Sequence, residues 1–133
     1  MLVIIGILSA IVIPKLNITL TTSRSSVEGA AYMIASDIRY AQEFAMANRV
    51  LKTVTFTAGS SVYTFSSNPA SPSDSLDPSG QLPSGVTISN NFTVTFNSLG
   101  EPTTGGGGSV TVSDGVNSKT ISVLNYTGKV NIS

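Results

Sequence analysis

The chain has 133 residues, with seven Lys plus Arg against seven Asp plus Glu, and no His, Cys or Trp. That length suits one domain. The missing Cys and His remove disulfides, thiolate chemistry and the commonest base and metal ligand, and a net charge of zero gives no long-range attraction to nucleic acid. Hydrophobic residues make up 41% of the chain, enough to build a core rather than a disordered coil.

In chain order, the first segment is Met1 to Ile13, MLVIIGILSAIVI, uncharged and with Ser9 as its polar side chain; Pro14 and Lys15 close it. A secretory signal calls for a basic residue ahead of the apolar run and a small-x-small cleavage site behind it, and neither is present. A membrane span needs about 20 apolar residues, whereas this run covers only ~20 Å of a ~30 Å hydrocarbon layer. A core helix of a monomer would be apolar on every side at an open terminus, an unusual place for one. The remaining reading is most of a helix that serves first a membrane and then a partner helix, with further residues ahead of Met1. Gly6, Ser9 and Ala10 permit close helix approach. Gly6 and Pro14 bracket a stretch where helical hydrogen bonding can fail.

The β-branched stretch Asn17–Thr22 is a weak helix former and predicts local bending. From Ser23 to Arg49 the period is helical: Val27, Ala30, Ala31, Ile34, Ile38, Ala41, Phe44 and Ala45 recur three and four apart. Glu28, Asp37, Arg39, Gln42, Glu43 and Arg49 take much of the other face. A helix from Met1 to about Asn48 would be roughly 70 Å long, so half of it must protrude and find partners elsewhere.

After Asn48 the period becomes two. Val50–Thr57 and Ser61–Ser66 flank Ala58-Gly59-Ser60 and predict a β-hairpin. Asn68–Ser84, rich in Pro, Ser and Asp, predicts a loop. Val86–Ile88 and Asn91–Phe96 are short strands. Glu101–Gly108, with four consecutive glycines, reads as a flexible turn. Val110–Ser113, Lys119–Leu124 and Lys129–Ile132 complete the strands, with turn signals at Asp114-Gly115 and Thr127-Gly128. The expected organisation is a hydrophobic segment 1–22 followed by a head, 23–133, of an amphipathic helix 23–49 and a β-rich region 50–133.

No catalytic, cofactor-binding or metal-binding residue is predicted, and no cofactor. Without His or Cys, nucleophilic catalysis would need Lys or carboxylates. Asp74 and Asp77 are the closest acidic pair; oxygen ligands suit calcium, but EF-hand spacing is missing and the pair reads as a solvated turn. Gly105–Gly108 lacks the Lys-Ser/Thr that follows a phosphate loop. Tyr32, Tyr40 and Phe44 read as packing against the sheet. Asn17, Asn91, Asn125 and Asn131 each open an N-x-Ser/Thr pattern, and Asn91, Asn125 and Asn131 are the candidate glycosylation sites.

Residues Met1–Leu16, MLVIIGILSAIVIPKL, resemble the N-terminal helix of type IV pilins and type II secretion pseudopilins. That family's mature chain begins with a methylated Phe and carries an early glutamate; the glutamate, the leader peptide and the cleavage glycine are absent from this sequence. Aligning the family's helix proline on Pro14 puts roughly eight mature residues ahead of Met1, and the resulting run of about 21 fits a bilayer. The stretch Asp37-Ile38-Arg39-Tyr40-Ala41-Gln42-Glu43-Phe44-Ala45, Asn48-Arg49 before a strand, Thr95–Gly100, and Ile121–Val123 with Gly128–Val130 resemble the GspH and FimT branch.

The resemblance implies an α+β fold, a long N-terminal helix packed against a C-terminal antiparallel β-sandwich. It implies a structural subunit of an extracellular type IV pilus-like filament on a bacterial cell surface, a homo-oligomer of many copies. Its filament core would be packed by Met1, Val3, Ile4, Ile5, Gly6, Ile7, Leu8, Ala10, Ile11, Ile13 and Pro14. Other pilins, the inner-membrane assembly machinery and the inner membrane before assembly are the implied partners. Two alternatives stand beside it: a GspH-like minor pseudopilin of a periplasmic type II secretion pseudopilus, and a FimT-like DNA-binding minor pilin. The last is disfavoured because the final third has only Lys119 and Lys129 against Glu101 and Asp114, and phosphate binding needs several cations.

Overall fold

The computed structural model describes residues 26–133, and within it a helix, α1, spans 26–48. The helical period decides its buried face. Val27, Ala30, Ala31, Ile34, Ala35, Ile38, Ala41, Phe44 and Ala45 are buried, while Tyr32, Ser36, Arg39, Glu43 and Met46 are exposed. The small side chains Ala30, Ala31, Ala41 and Ala45 let the helix backbone lie close to its neighbours. The helix stops in a left-handed turn: Arg49 takes φ 55°, and the Val50 N–H bonds back to the Ala45 carbonyl at 3.2 Å. This is a Schellman-type stop, with Val50 and Ala45 both buried beneath it. Asn48 Nδ2 adds a bond to the Phe44 carbonyl at 3.1 Å.

Eight strands follow: β1 Leu51–Phe56, β2 Thr64–Asn68, β3 Thr87–Ile88, β4 Phe92–Phe96, β5 Pro102–Thr104, β6 Ser109–Ser113, β7 Ser118–Val123 and β8 Val130–Ile132. They form two antiparallel sheets of four, in the orders β2-β1-β4-β5 and β3-β6-β7-β8. The alternation of side chains fixes each register. In the first sheet Val54 faces Val94. In the second, Val110 faces Ile121 and Val123 faces Val130. On the other faces threonines pair across strands, Thr53 with Thr95 at 2.8 Å and Thr111 with Thr120 at 3.0 Å.

The expected β-sandwich is not what the chain forms. The two sheets are separate and are not closed on one another. The apolar side chains of α1 enter the same core as Val54, Phe56, Val94 and Phe96 of the first sheet and Val110, Val112, Ile121 and Val123 of the second. The physical reason lies in the helix: its alanine- and isoleucine-lined face occupies core space that a sandwich would fill with strand side chains alone. β1 and β2 pair antiparallel as expected, with Leu51 opposite Asn68 and Thr55 opposite Thr64, but the expected short turn is replaced by a connection over 57–63, because Ser61 and Tyr63 bond Leu82 and Gly80 instead of β1.

Two loops are more ordered than the sequence suggested. The 69–84 segment carries a 3-10 turn, Pro72–Leu76, capped by Ser71, whose hydroxyl accepts from Ser73 N while its own N–H bonds the Asp74 carboxylate. The glycine run is tied down: Gly107 N bonds the Val123 carbonyl at 2.7 Å, and Val123 N bonds the Gly108 carbonyl at 3.0 Å. Gly105 sits at φ 84° with no room for a Cβ against the Thr93–Val94 backbone, so here glycine serves close approach rather than flexibility. No helix among the described residues is long and apolar enough to cross a membrane.

Candidate functional site

The filament-core positions, Met1 to Pro14, lie outside the described residues, as does Asn17. Of the candidate glycosylation sites, Asn91, Asn125 and Asn131 are all exposed. Asn91 is partly committed, because its Oδ1 accepts from Ala58 N at 2.9 Å. Asn131 lies on β8 opposite Ser122. Asn125 lies in the β7–β8 turn, against Gly106.

The most developed side-chain constellation centres on Lys52. The period-two pattern of β1 places Lys52 in phase with Val54 and Phe56, so its side chain points inward and is fully buried. An isolated ammonium there would be prohibitively desolvated. The chain supplies partners from the 69–84 loop and from β2. Lys52 Nζ lies 2.8 and 2.9 Å from the two Asp77 oxygens, 3.1 Å from Asp74 Oδ1 and 3.0 Å from Ser67 Oγ. The Phe44 ring centroid is 3.9 Å away, a cation–π contact from α1. Tyr40, also on α1, donates its hydroxyl to Asp77 Oδ1 at 2.9 Å, and Ser67 donates to Asp74 Oδ1 at 2.6 Å.

Helix, first sheet and loop are thus joined through one ammonium. The Ser67 hydroxyl and the Ser71 N–H, with Lys52 beside them, hold the Asp74 carboxyl down at about 2. Burial, reinforced by the Asp77 carboxylate, pushes the Tyr40 phenol up to about 12. A second polar link runs from Tyr63, whose buried hydroxyl donates to Asp37 on α1. Burial raises the Asp37 carboxyl and, together with that bond, raises the Tyr63 phenol further still.

This overturns the reading of Asp74 and Asp77 as a solvated turn. Their side chains are only 30% and 16% exposed, and their charge is spent on Lys52. The legible part of the signal is Lys52 alone, a lysine in the inward phase of β1; its partners lie 22 and 25 residues further along the chain. Tyr40 and Phe44 do pack toward the first sheet, against Phe65 and Lys52, but Tyr32 is 67% exposed among the described residues.

Between Tyr40 and Phe44 on the same helix, Gln42 gathers both sheets. Its Nε2 donates to the Gly100 carbonyl at 2.7 Å and to the Thr127 carbonyl at 2.9 Å. It therefore pins the β4–β5 and β7–β8 turns to α1. Met46, Leu99, Leu124 and Tyr126 lie on these same three elements and are all exposed, Leu99 at 75% and Tyr126 at 81%.

Residues 30–128 match the family of the type II transport protein GspH. The chain belongs to the GspH family. The match takes in most of α1 and all strands from β1 to β7, together with the Lys52 cluster and the Gln42 staple. A GspH-family match over a helix followed by a β-rich region makes the architecture pseudopilin-like. No curated protein and no solved structure matches the chain.

Proposed function

We propose that this GspH-family chain is a structural subunit of a pilus-like filament, held in the inner membrane by its apolar N-terminal segment and then assembled by packing that segment against its copies. The observation that supports this most is the pairing of a GspH-family head with the uncharged run Met1–Ile13. Burying such a run in a central bundle removes apolar area from water at about 25 cal/mol per Å². Gly6, Ser9 and Ala10 would let neighbouring helices approach. The head then faces outward, with Met46, Leu99, Leu124 and Tyr126 available for lateral contacts and the product a fibre on the cell surface. A stretch between Gly6 and Pro14 with broken helical bonding would let such a fibre lengthen.

The family match also favours a second reading, a minor pseudopilin that seeds or caps a short periplasmic filament in type II secretion. An Ile7→Lys variant tests the shared core of both. A charge in the apolar bundle should abolish recovery of the subunit in assembled filaments while leaving the head folded. Undiminished assembly of Ile7→Lys would overturn the proposal.

A further inference from the structure

We propose that the groove between α1 and the 3-10 turn receives the Pro14-Lys15-Leu16 segment of a second copy of this chain, with Lys15 paired to Glu43. The inference rests on the reading that copies assemble through their N-terminal segments, and it names the place on the head that takes the charged end of such a segment.

The groove has a volume of about 290 Å³ and runs between Tyr40, Phe44 and Ala47 of α1 and Leu76 of the turn, with Glu43 beside them. That volume lies at the bottom of the range for small-molecule sites and suits one or two side chains. Leu76 is 75% exposed, although the turn that carries it is fixed to β1 through Asp74, Asp77 and Lys52. Covering it removes apolar area from water. Glu43 is exposed and forms no ion pair among the described residues. The turn itself carries two carboxylates against the single Lys52 ammonium. The groove therefore offers apolar walls and negative charge together.

The occupant follows from how charge is divided along the chain. Every Asp and Glu lies within 26–133, and the two cations outside that range are Lys15 and Arg24. Residues 1–25 are thus purely cationic, the complement of a head with more carboxylates than cations. Arg24 stands between Ser23 and Ser25, whereas Lys15 stands between Pro14 and Leu16. An apolar groove beside one carboxylate fits the second context. Leu16 covers Leu76, the lysine stem lies along the apolar wall, and its ammonium reaches Glu43. Glu43 is 17 residues beyond Ser26 on α1, about 26 Å along the axis. The chain's own Lys15 would reach it only if residues 16–25 doubled back in extended form beside the helix; a second copy needs no such reversal.

The chain has no Cys, so introduced cysteines report the contact without background. Asn17→Cys and Ala47→Cys flank the pair and leave Lys15 and Glu43 in place. They are made in separate full-length copies, produced together, and treated in the cell-envelope fraction with a short bifunctional maleimide. Peptide mass spectrometry should find a 17–47 link between the two copies. Glu43→Lys should cut its yield roughly fivefold or more, and adding Lys15→Glu should restore it. Glu43 and Ala47 are exposed, so circular dichroism should report the native head in every variant. Electron microscopy of the same samples reads assembly separately. Fibres without the 17–47 link, a yield that Glu43→Lys leaves unchanged, or a link formed within one chain when it carries both cysteines, overturns the inference and leaves the filament reading standing. A 17–47 link between copies without fibres upholds the contact and overturns the filament; neither link nor fibres overturns both.

Discussion

Replacing Asp77 with Ala removes two of the four hydrogen-bond contacts of the Lys52 ammonium, at 2.8 and 2.9 Å, and the acceptor for Tyr40. What remains is a fully buried cation with Asp74 at 3.1 Å and the Ser67 hydroxyl at 3.0 Å. Breaking a buried pair by deleting one partner costs about 3–5 kcal/mol, because the other charge stays out of water. With a urea dependence of about 2 kcal/mol per molar, the unfolding midpoint should fall by roughly 2 M.

Lys52→Met is the informative comparison. It places an unbranched apolar chain between Phe44 and Phe65 and leaves two carboxylates that already reach solvent, at 30% and 16% exposure. Its cost should be smaller, about 1–2 kcal/mol. Urea titration followed by circular dichroism reads both. An Asp77→Ala loss under about 1 kcal/mol, or a larger loss for Lys52→Met than for Asp77→Ala, would refute the claim that burial of the ammonium sets the energetics.

Four further outcomes follow from the same structure. Tyr40 and Tyr63 keep their phenol protons in the folded state above the ordinary value of 10.0, Tyr40 to about 12, so the stability they contribute is complete below pH 10 and is lost as pH rises through the folded values. Alkaline unfolding curves should therefore flatten in Tyr40→Phe and Tyr63→Phe. Asp74 works in the opposite direction: its carboxyl is depressed to about 2 from 3.8, so its contribution is present above pH 4 or so and fades as pH falls toward 2, a loss that Asp74→Asn should remove from an acid titration. Arg49→Gly relieves a left-handed residue at the end of α1 and should raise stability by about 1 kcal/mol in thermal unfolding. Gly128→Ala should destabilise by about 2 kcal/mol or more, since the residue sits at φ 70° and a Cβ would lie 2.8 Å from Phe96 Cε1 and 2.9 Å from Gln42 Nε2.

The elements were legible where a single period governs. The helical repeat Val27, Ala30, Ala31, Ile34, Ile38, Ala41 and Ala45 marks the buried face of α1, and the alternation in β1, β4, β6 and β7 marks the inward side chains. How the sheets would meet was not legible, because period two says which side of a strand is apolar but not what covers it. In this chain the apolar face of α1 shares one core with inward side chains of both sheets. The Lys52 cluster draws on Tyr40, Lys52, Ser67, Asp74 and Asp77, and no local pattern connects residues that far apart. The same holds for Gln42, which looks like a surface residue until the two turns close on it. The glycine run misled because composition alone does not distinguish glycine kept for freedom from glycine kept for lack of space.

The central claim is that copies of this chain assemble through their apolar N-terminal segments, and electron cryomicroscopy of native material tests it most directly. The account predicts continuous helical fibres with residues 1–13 packed about the axis and the heads, with Leu99 and Tyr126, turned toward neighbouring subunits. Dispersed single copies, or fibres whose axis is built from the β-rich heads, would contradict it.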